Sequence, residues 1–159
     1  MSLDHVIKVE ILLIKNSRSQ RRMLKRLFSF IGVRKNILRA TWGYAPSVII
    51  PLVRWRNCHH IHAWVLQRFN HDEDGCPDIY MTESDLRFLL DVIEKILADH
   101  SLANTLLPSP ADIDDRNYYD DYYFYTLEDT KLLLTDALSF LEKLHNKKHG
   151  YAIFYEYSS

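Results

Sequence analysis

Residues 82–97 read Thr82-Glu83-Ser84-Asp85-Leu86-Arg87-Phe88-Leu89-Leu90-Asp91-Val92-Ile93-Glu94-Lys95-Ile96-Leu97. Thr82 followed three residues later by Asp85 has the spacing of a capping box, so a helix is expected to begin here. Leu86, Leu89, Leu90, Ile93, Ile96 and Leu97 then form a wide apolar stripe at helical spacing, which needs a second layer to cover it. A later stretch supplies one. Thr126 is expected to cap a helix with Glu128 and Asp129 in its first turn and Lys143, Lys147 and Lys148 near its end, charges that suit the helix dipole at both ends. Gly150 is expected to stop it.

The termini read differently. From Val6 to Ile11 the residues alternate, with Ile7, Val9 and Ile11 on one side and Lys8 and Glu10 on the other, the pattern of a half-buried strand. Tyr151 to Tyr157 is rich in aromatics and is expected to form a closing strand paired with the first. Two more helices are expected in the first half. One opens at Ser17 and Gln20, carries Met23, Leu24, Leu27, Phe28 and Ile31 on its apolar side, and stops at Gly32. The other starts with Pro51 in its first turn and runs to about Phe69, with Trp55, Cys58, Ile61, His62, Val65 and Phe69 along one face. Breaker-rich loops follow at 71–77 and around Pro108 and Pro110. The expected fold is α+β: one mostly helical domain over 1–159, with about four main helices and a small terminal β-sheet.

A chain of 159 residues is long enough to bury a core, and 47% apolar with 26% charged residues is ordinary for a globular protein. No run reaches the ~18 uninterrupted apolar residues of a membrane span. The apolar stretch Val6–Ile14 contains Lys8 and Glu10 and lacks a small-residue cleavage site, so it reads as structure rather than as a signal peptide. Two cysteines, Cys58 and Cys76, make no disulfide framework, and the expected setting is a reducing cytoplasm.

The net charge of −1 conceals a division. Residues 1–70 hold 13 basic and 2 acidic side chains, a balance of +11, whereas residues 71–159 hold 7 basic and 19 acidic ones, a balance of −12. Such a division either marks two surfaces for different partners or is neutralised as the halves fold together.

Four short motifs follow one another in the second and third thirds of the chain: Trp55-Arg56-Asn57-Cys58-His59-His60-Ile61-His62-Ala63-Trp64, then Leu106-Leu107-Pro108, then Tyr118-Tyr119-Asp120-Asp121-Tyr122-Tyr123, and the tail Tyr155-Glu156-Tyr157-Ser158-Ser159. Together they resemble a family of small uncharacterised proteins of tailed phages and prophages. That family has a Trp-Arg-x-x-x-x-Ile-His-x-Trp helix, a Leu-Leu-Pro turn, a Tyr-Asp-acid-Tyr-Tyr segment and a Tyr-rich C-terminus in the same order. The likeness spans roughly residues 53–159. It implies a phage-related origin and carries over no catalytic residue.

Three groups of residues are candidates for function. Arg18, Arg21, Arg22, Lys25 and Arg26 lie on one face of the expected first helix, a pattern suited to phosphate contacts with nucleic acid, to an anionic membrane surface or to a partner protein. Tyr118, Tyr119, Tyr122 and Tyr123 belong to an acidic-aromatic strip over Tyr118 to Tyr125, whose rings either pack under the helices with the carboxylates in water or serve a basic protein partner, tyrosine being favoured at interface hot spots. Cys58 and His62, four apart on the expected helix, have a spacing that two zinc ligands can use, with Cys76, Asp72 or Asp74 as further donors.

Other chemistry finds no support. The segment starting at Asp112 opens like a calcium loop but lacks the central glycine, and Tyr123 stands where the closing glutamate belongs. With 4 glycines the chain builds no phosphate-cradling loop, and neither a Gly-x-Ser-x-Gly elbow nor a His-Glu-x-x-His helix occurs. Arg56, His60 and the nearby loop carboxylates make an acid-base trio of a kind most proteins contain. The sequence therefore points to a non-enzymatic, phage- or prophage-related accessory protein that binds protein or nucleic acid without a cofactor. The alternative is a metal-binding protein or metal-dependent hydrolase holding zinc at Cys58 and His62.

Overall fold

A computed structural model describes residues 4–12, 22, 47–70, 78–109, 118–146 and 150–158 of the chain. In chain order the elements are β1 (Asp4–Leu12), β2 (Ser47–Arg56), α1 (His59–Phe69), β3 (Ile79–Met81), α2 (Glu83–Ala98), a 3-10 turn (His100–Leu102), α3 (Ala103–Leu106), α4 (Asp121–Asn146) and β4 (Tyr151–Ser158). The strands form one antiparallel sheet in the order β2-β1-β4-β3. The architecture is α+β.

Alternation along β1 sends His5, Ile7, Val9 and Ile11 inward, as their burial shows. The register places Ile7 between Val53 of β2 and Tyr155 of β4, and His5 between Trp55 and Tyr157, so one face of the sheet is apolar and aromatic throughout. On it pack Ile61, Val65 and Leu66 of α1, Leu86, Leu89, Ile93 and Ile96 of α2, and Leu127, Leu134, Leu138 and Leu141 of α4, in a single core. The terminal strands pair as expected, and α2 begins where expected. Thr82 Oγ1 accepts from the Asp85 N–H while the Asp85 carboxylate accepts from the Thr82 N–H, both halves of a capping box.

Two elements differ from the expectation. The segment from Pro51 to Arg56 is strand rather than helix, and α1 begins only at His59. Pro51 suits a first helical turn, but it equally suits an edge strand beside a bulge, where its missing N–H disturbs no ladder. Here β2 is an edge strand, and its register with β1 shifts between Ile7 and Lys8, leaving Leu52 as the extra residue. The chain then turns at Asn57, which takes a left-handed φ of 57° that asparagine tolerates well. Asn70, at φ 51°, closes α1 in the same conformation.

The last helix begins at Asp121, five residues before Thr126. The Asp120 carboxylate accepts from the Tyr123 N–H at 2.9 Å and caps it. Thr126 lies inside the helix, its hydroxyl donating back to the Tyr122 carbonyl at 2.8 Å. The helix expected at 17–31 lies outside the described residues apart from Arg22, which is helical and exposed. No helix of the described residues is long and apolar enough to cross a membrane.

Candidate functional site

The inner corner where β1, β2, β4, α1 and α4 meet gathers most of the buried polar chemistry. Alternation on β1 puts His5 there, α1 contributes His60 and His62, and β4 contributes Tyr155 and Tyr157. The Tyr155 hydroxyl lies 3.0 Å from His5 Nδ1 and 2.6 Å from His62 Nδ1. A phenol carries one proton, so it donates to one imidazole and accepts from the other, and two neutral rings must then hold opposite tautomers. His5 also stacks on Trp55, with centroids 5.1 Å apart, and the Trp55 indole N–H donates to Thr130 Oγ1 on α4 at 2.8 Å. Among the described residues His5 Nε2 is buried without a partner. That favours the tautomer in which His5 donates through Nδ1 and leaves a bare lone pair at Nε2, because an orphaned N–H is the costlier vacancy.

A second cluster adjoins it. His60 Nδ1 lies 3.0 Å from the Tyr118 hydroxyl and its Nε2 lies 3.7 Å from Cys58 Sγ, with the Tyr123 ring 4.5 Å away. Burial dominates the electrostatics of both clusters. Desolvation, aided by the neighbouring imidazoles, holds His5 down at about 3, and burial with the nearby His59 does the same for His60. Burial pushes the Cys58 thiol up to about 12, and it raises the Tyr123 and Tyr155 phenols well above their ordinary value. These groups are neutral at physiological pH. His5 is 1% and Tyr155 0% exposed, so no substrate atom reaches them in this conformation. The clusters tie helices to sheet.

The zinc candidates fall within this region. Cys58 is the residue before α1 rather than a member of it, and its sulfur faces His60; His62 bonds to Tyr155. Among the described residues no three His, Cys, Asp or Glu side chains gather closely enough to hold a metal ion. Asp72, Asp74 and Cys76 lie outside the described residues, as do Arg18, Arg21, Lys25 and Arg26 of the basic face.

The tyrosine strip divides. Tyr123 is 3% exposed and its hydroxyl donates to the Leu107 carbonyl at 3.2 Å. Tyr119 accepts from the Ser109 N–H at 3.0 Å and donates to Asn104 at 3.1 Å, while Tyr118 meets His60. These three fasten the start of α4 to the rest of the fold. Tyr122 instead points outward at 65% exposure, joined on the same side by Tyr125 at 64% and Leu132 at 66%. Tyr125 closes the expected strip, whereas Leu132 escaped the sequence reading, because its alignment with Tyr122 and Tyr125 needs a helix that starts at Asp121 rather than at Thr126. Around them stand Asp121, Glu128, Asp129 and Asp136, all exposed and none paired with a cation of the described residues.

The charge division is partly resolved inside the fold. Lys8 pairs with Glu156 across β1 and β4, and Arg68 holds Asp85 at 2.6 Å, each joining the basic half to the acidic half. Arg54 reaches Asp4 at 3.3 Å on the outer face of the sheet. Lys131 pairs with Glu94, and Lys95 with Asp91. One open depression of about 470 Å³ lies between β3, β4 and the start of α2, where the Tyr151 hydroxyl bonds to Glu83. Compared with family models, curated proteins and solved structures, the chain matches none.

Proposed function

We propose that this is a non-enzymatic accessory protein of phage or prophage origin that works by holding a partner protein on the outer face of α4. The observation that carries this is the row Tyr122, Tyr125 and Leu132, three large side chains about two-thirds exposed on one side of a single helix. Isolated exposed apolar residues are ordinary, but an aligned set rimmed by carboxylates has the composition of an interface: aromatic anchors inside a polar margin. The buried histidines and tyrosines support the same reading from the other side, since they are spent on holding the layers together. The phage origin rests on the four sequence motifs, whose aromatic members in large part build the inner corner and the start of α4.

The test places p-benzoylphenylalanine at position 125 and, for comparison, at Tyr80, which is also exposed and lies on the opposite side of the sheet. Each protein is irradiated in a bacterial host, and any adduct is identified by mass spectrometry. The reading expects an adduct with one protein at position 125, absent at position 80 and lost with Leu132→Asp. That protein, once purified, binds the unlabelled chain and not the Leu132→Asp variant. No adduct, or the same adducts at both positions, rejects the reading.

A further inference from the structure

Resting on that reading, we infer that the partner presents a basic amphipathic helix, laid along α4 as in a two-stranded coiled coil. The exposed positions of α4 are not scattered. Tyr122, Tyr125, Asp129, Leu132 and Asp136 follow one another at intervals of three, four, three and four, and all five are exposed. That is the spacing of a heptad seam, in which alternate layers meet a facing helix. At a rise of about 1.5 Å per residue the seam is roughly 21 Å long, enough for two heptads of contact. The inward side of α4 uses a separate set, Tyr123, Leu127, Thr130, Leu134, Ala137, Leu138, Leu141 and Leu144, so the seam is in addition to what the core needs.

The seam's chemistry selects its occupant. Tyr125 and Leu132 offer apolar layers, whereas the alternate layers after Tyr122 are filled by Asp129 and Asp136. An aliphatic partner layer would bury those carboxylates without compensation. Lysine or arginine there would pair with them, and arginine would also stack on the tyrosine faces. Asp121 and Glu128 flank the seam and ask for further cations. A second copy of this chain is a poor occupant: a parallel in-register pair sets Asp129 and Asp136 against their own equivalents. Nucleic acid and anionic lipid surfaces are repelled by the same four carboxylates.

The probe is a labelled synthetic peptide of about three heptads, with leucine in one seam layer and arginine in the other. Two controls accompany it: a peptide of identical composition with the leucines moved off the seam, and one with glutamate replacing arginine. Fluorescence anisotropy is read with the full chain at low and moderate salt. The seam peptide is expected to bind about tenfold or more tightly than the off-seam peptide of equal charge, and the glutamate peptide not at all. Leu132→Asp should weaken the seam peptide by about tenfold or more. Asp129→Arg with Asp136→Arg should turn the preference to the glutamate peptide.

Equal binding of the seam and off-seam peptides overturns the inference, because charge alone would then explain the attraction. No peptide binding, together with a specific adduct at position 125, rejects the helical partner and leaves the binding surface in place. Absence of both removes the surface as well. The comparison among peptides needs no altered protein, so a variant that fails to fold cannot shield the proposal.

Discussion

Acidification should unfold this protein through its inner corner, and the size of the effect follows from the geometry. His5 and His60 are neutral in the folded protein because burial holds them at about 3, against 6.5 in the unfolded chain. The groups facing His5 are His62 from α1 and Tyr155 and Tyr157 from β4, with Trp55 of β2 stacked on the ring. No carboxylate among the described residues bonds to either imidazole, so an added proton meets no described counter-charge. A group whose folded value is depressed gives stability that is whole above the unfolded value of 6.5 and drains away as the pH falls toward 3. At pH 5 the unfolded chain is favoured by 1.5 units per histidine, about 2 kcal/mol each and about 4 kcal/mol for the pair. That is a large part of the 5–15 kcal/mol typical of a domain. Guanidinium unfolding followed by circular dichroism at pH 8, 7, 6 and 5, at constant ionic strength, measures it directly. Between pH 6 and 4 unfolding should take up about two protons, and His5→Phe should reduce that to about one. Equal stability at pH 8 and pH 5, or a slope that His5→Phe leaves untouched, would refute the argument.

Three further outcomes follow from single contacts. Thr130→Val should lower stability by about 1–3 kcal/mol with an unchanged m value, because the buried Trp55 indole N–H loses the acceptor it has among the described residues. Asp85→Ala should cost about 2–4 kcal/mol in the same assay. Burial opposes the charged form of Asp85, yet bonds from the Thr82 side chain and backbone and from Arg68 hold its carboxyl below the usual range, so its loss removes a helix cap and an ion pair together. Iodoacetamide labelling with peptide mapping at pH 8 should find Cys58 slower by orders of magnitude in the native protein than in denaturant, since burial pushes its thiol to about 12; equal rates would show that the site is open.

Much of the fold was legible because its signals were local and mutually consistent. The alternation of Val6–Ile11, the Thr82–Asp85 box and the apolar stripe after it each specify one structure, and the structure has them. The misread segments carry two patterns at once. Val53 and Trp55 alternate as a strand does, but Trp55, Cys58, Ile61, His62 and Val65 also continue a helical stripe into α1, and Pro51 permits both. Thr126 resembles a cap, yet Asp120 is the residue whose carboxylate the helix start uses. Aromatic crowding at 118–125 hid the helical spacing of Tyr123, Leu127 and Thr130 beneath a run of tyrosines. The candidate surface was half legible: Tyr122 and Tyr125 lay within the strip, but Leu132 could be aligned with them only once α4 was known to start at Asp121. The His5–Tyr155–His62 contact could not be read at all, because it joins residues 150 and 93 apart in the chain.

The distribution of charge makes sense of where function should be sought. A fold that needed its acidic half merely to neutralise its basic half would spend its carboxylates on cations. The described structure does so on α2, where Glu83, Asp85, Asp91 and Glu94 each meet an arginine or lysine. Along the outer side of α4 it does not: Asp121, Glu128, Asp129 and Asp136 stand beside Tyr122, Tyr125 and Leu132 with no described cation against them. Exposed ion pairs contribute little to stability, so leaving these four without a described cation sacrifices almost nothing. On the proposed reading, what it preserves is a set of charges whose full interaction energy is released only when a partner desolvates them. On the proposed reading the same helix separates two tasks by face, with stability on the inward leucines and recognition on the outward seam. Substitutions on the outer face should change binding while barely moving the melting temperature, and substitutions on the inner face should do the reverse.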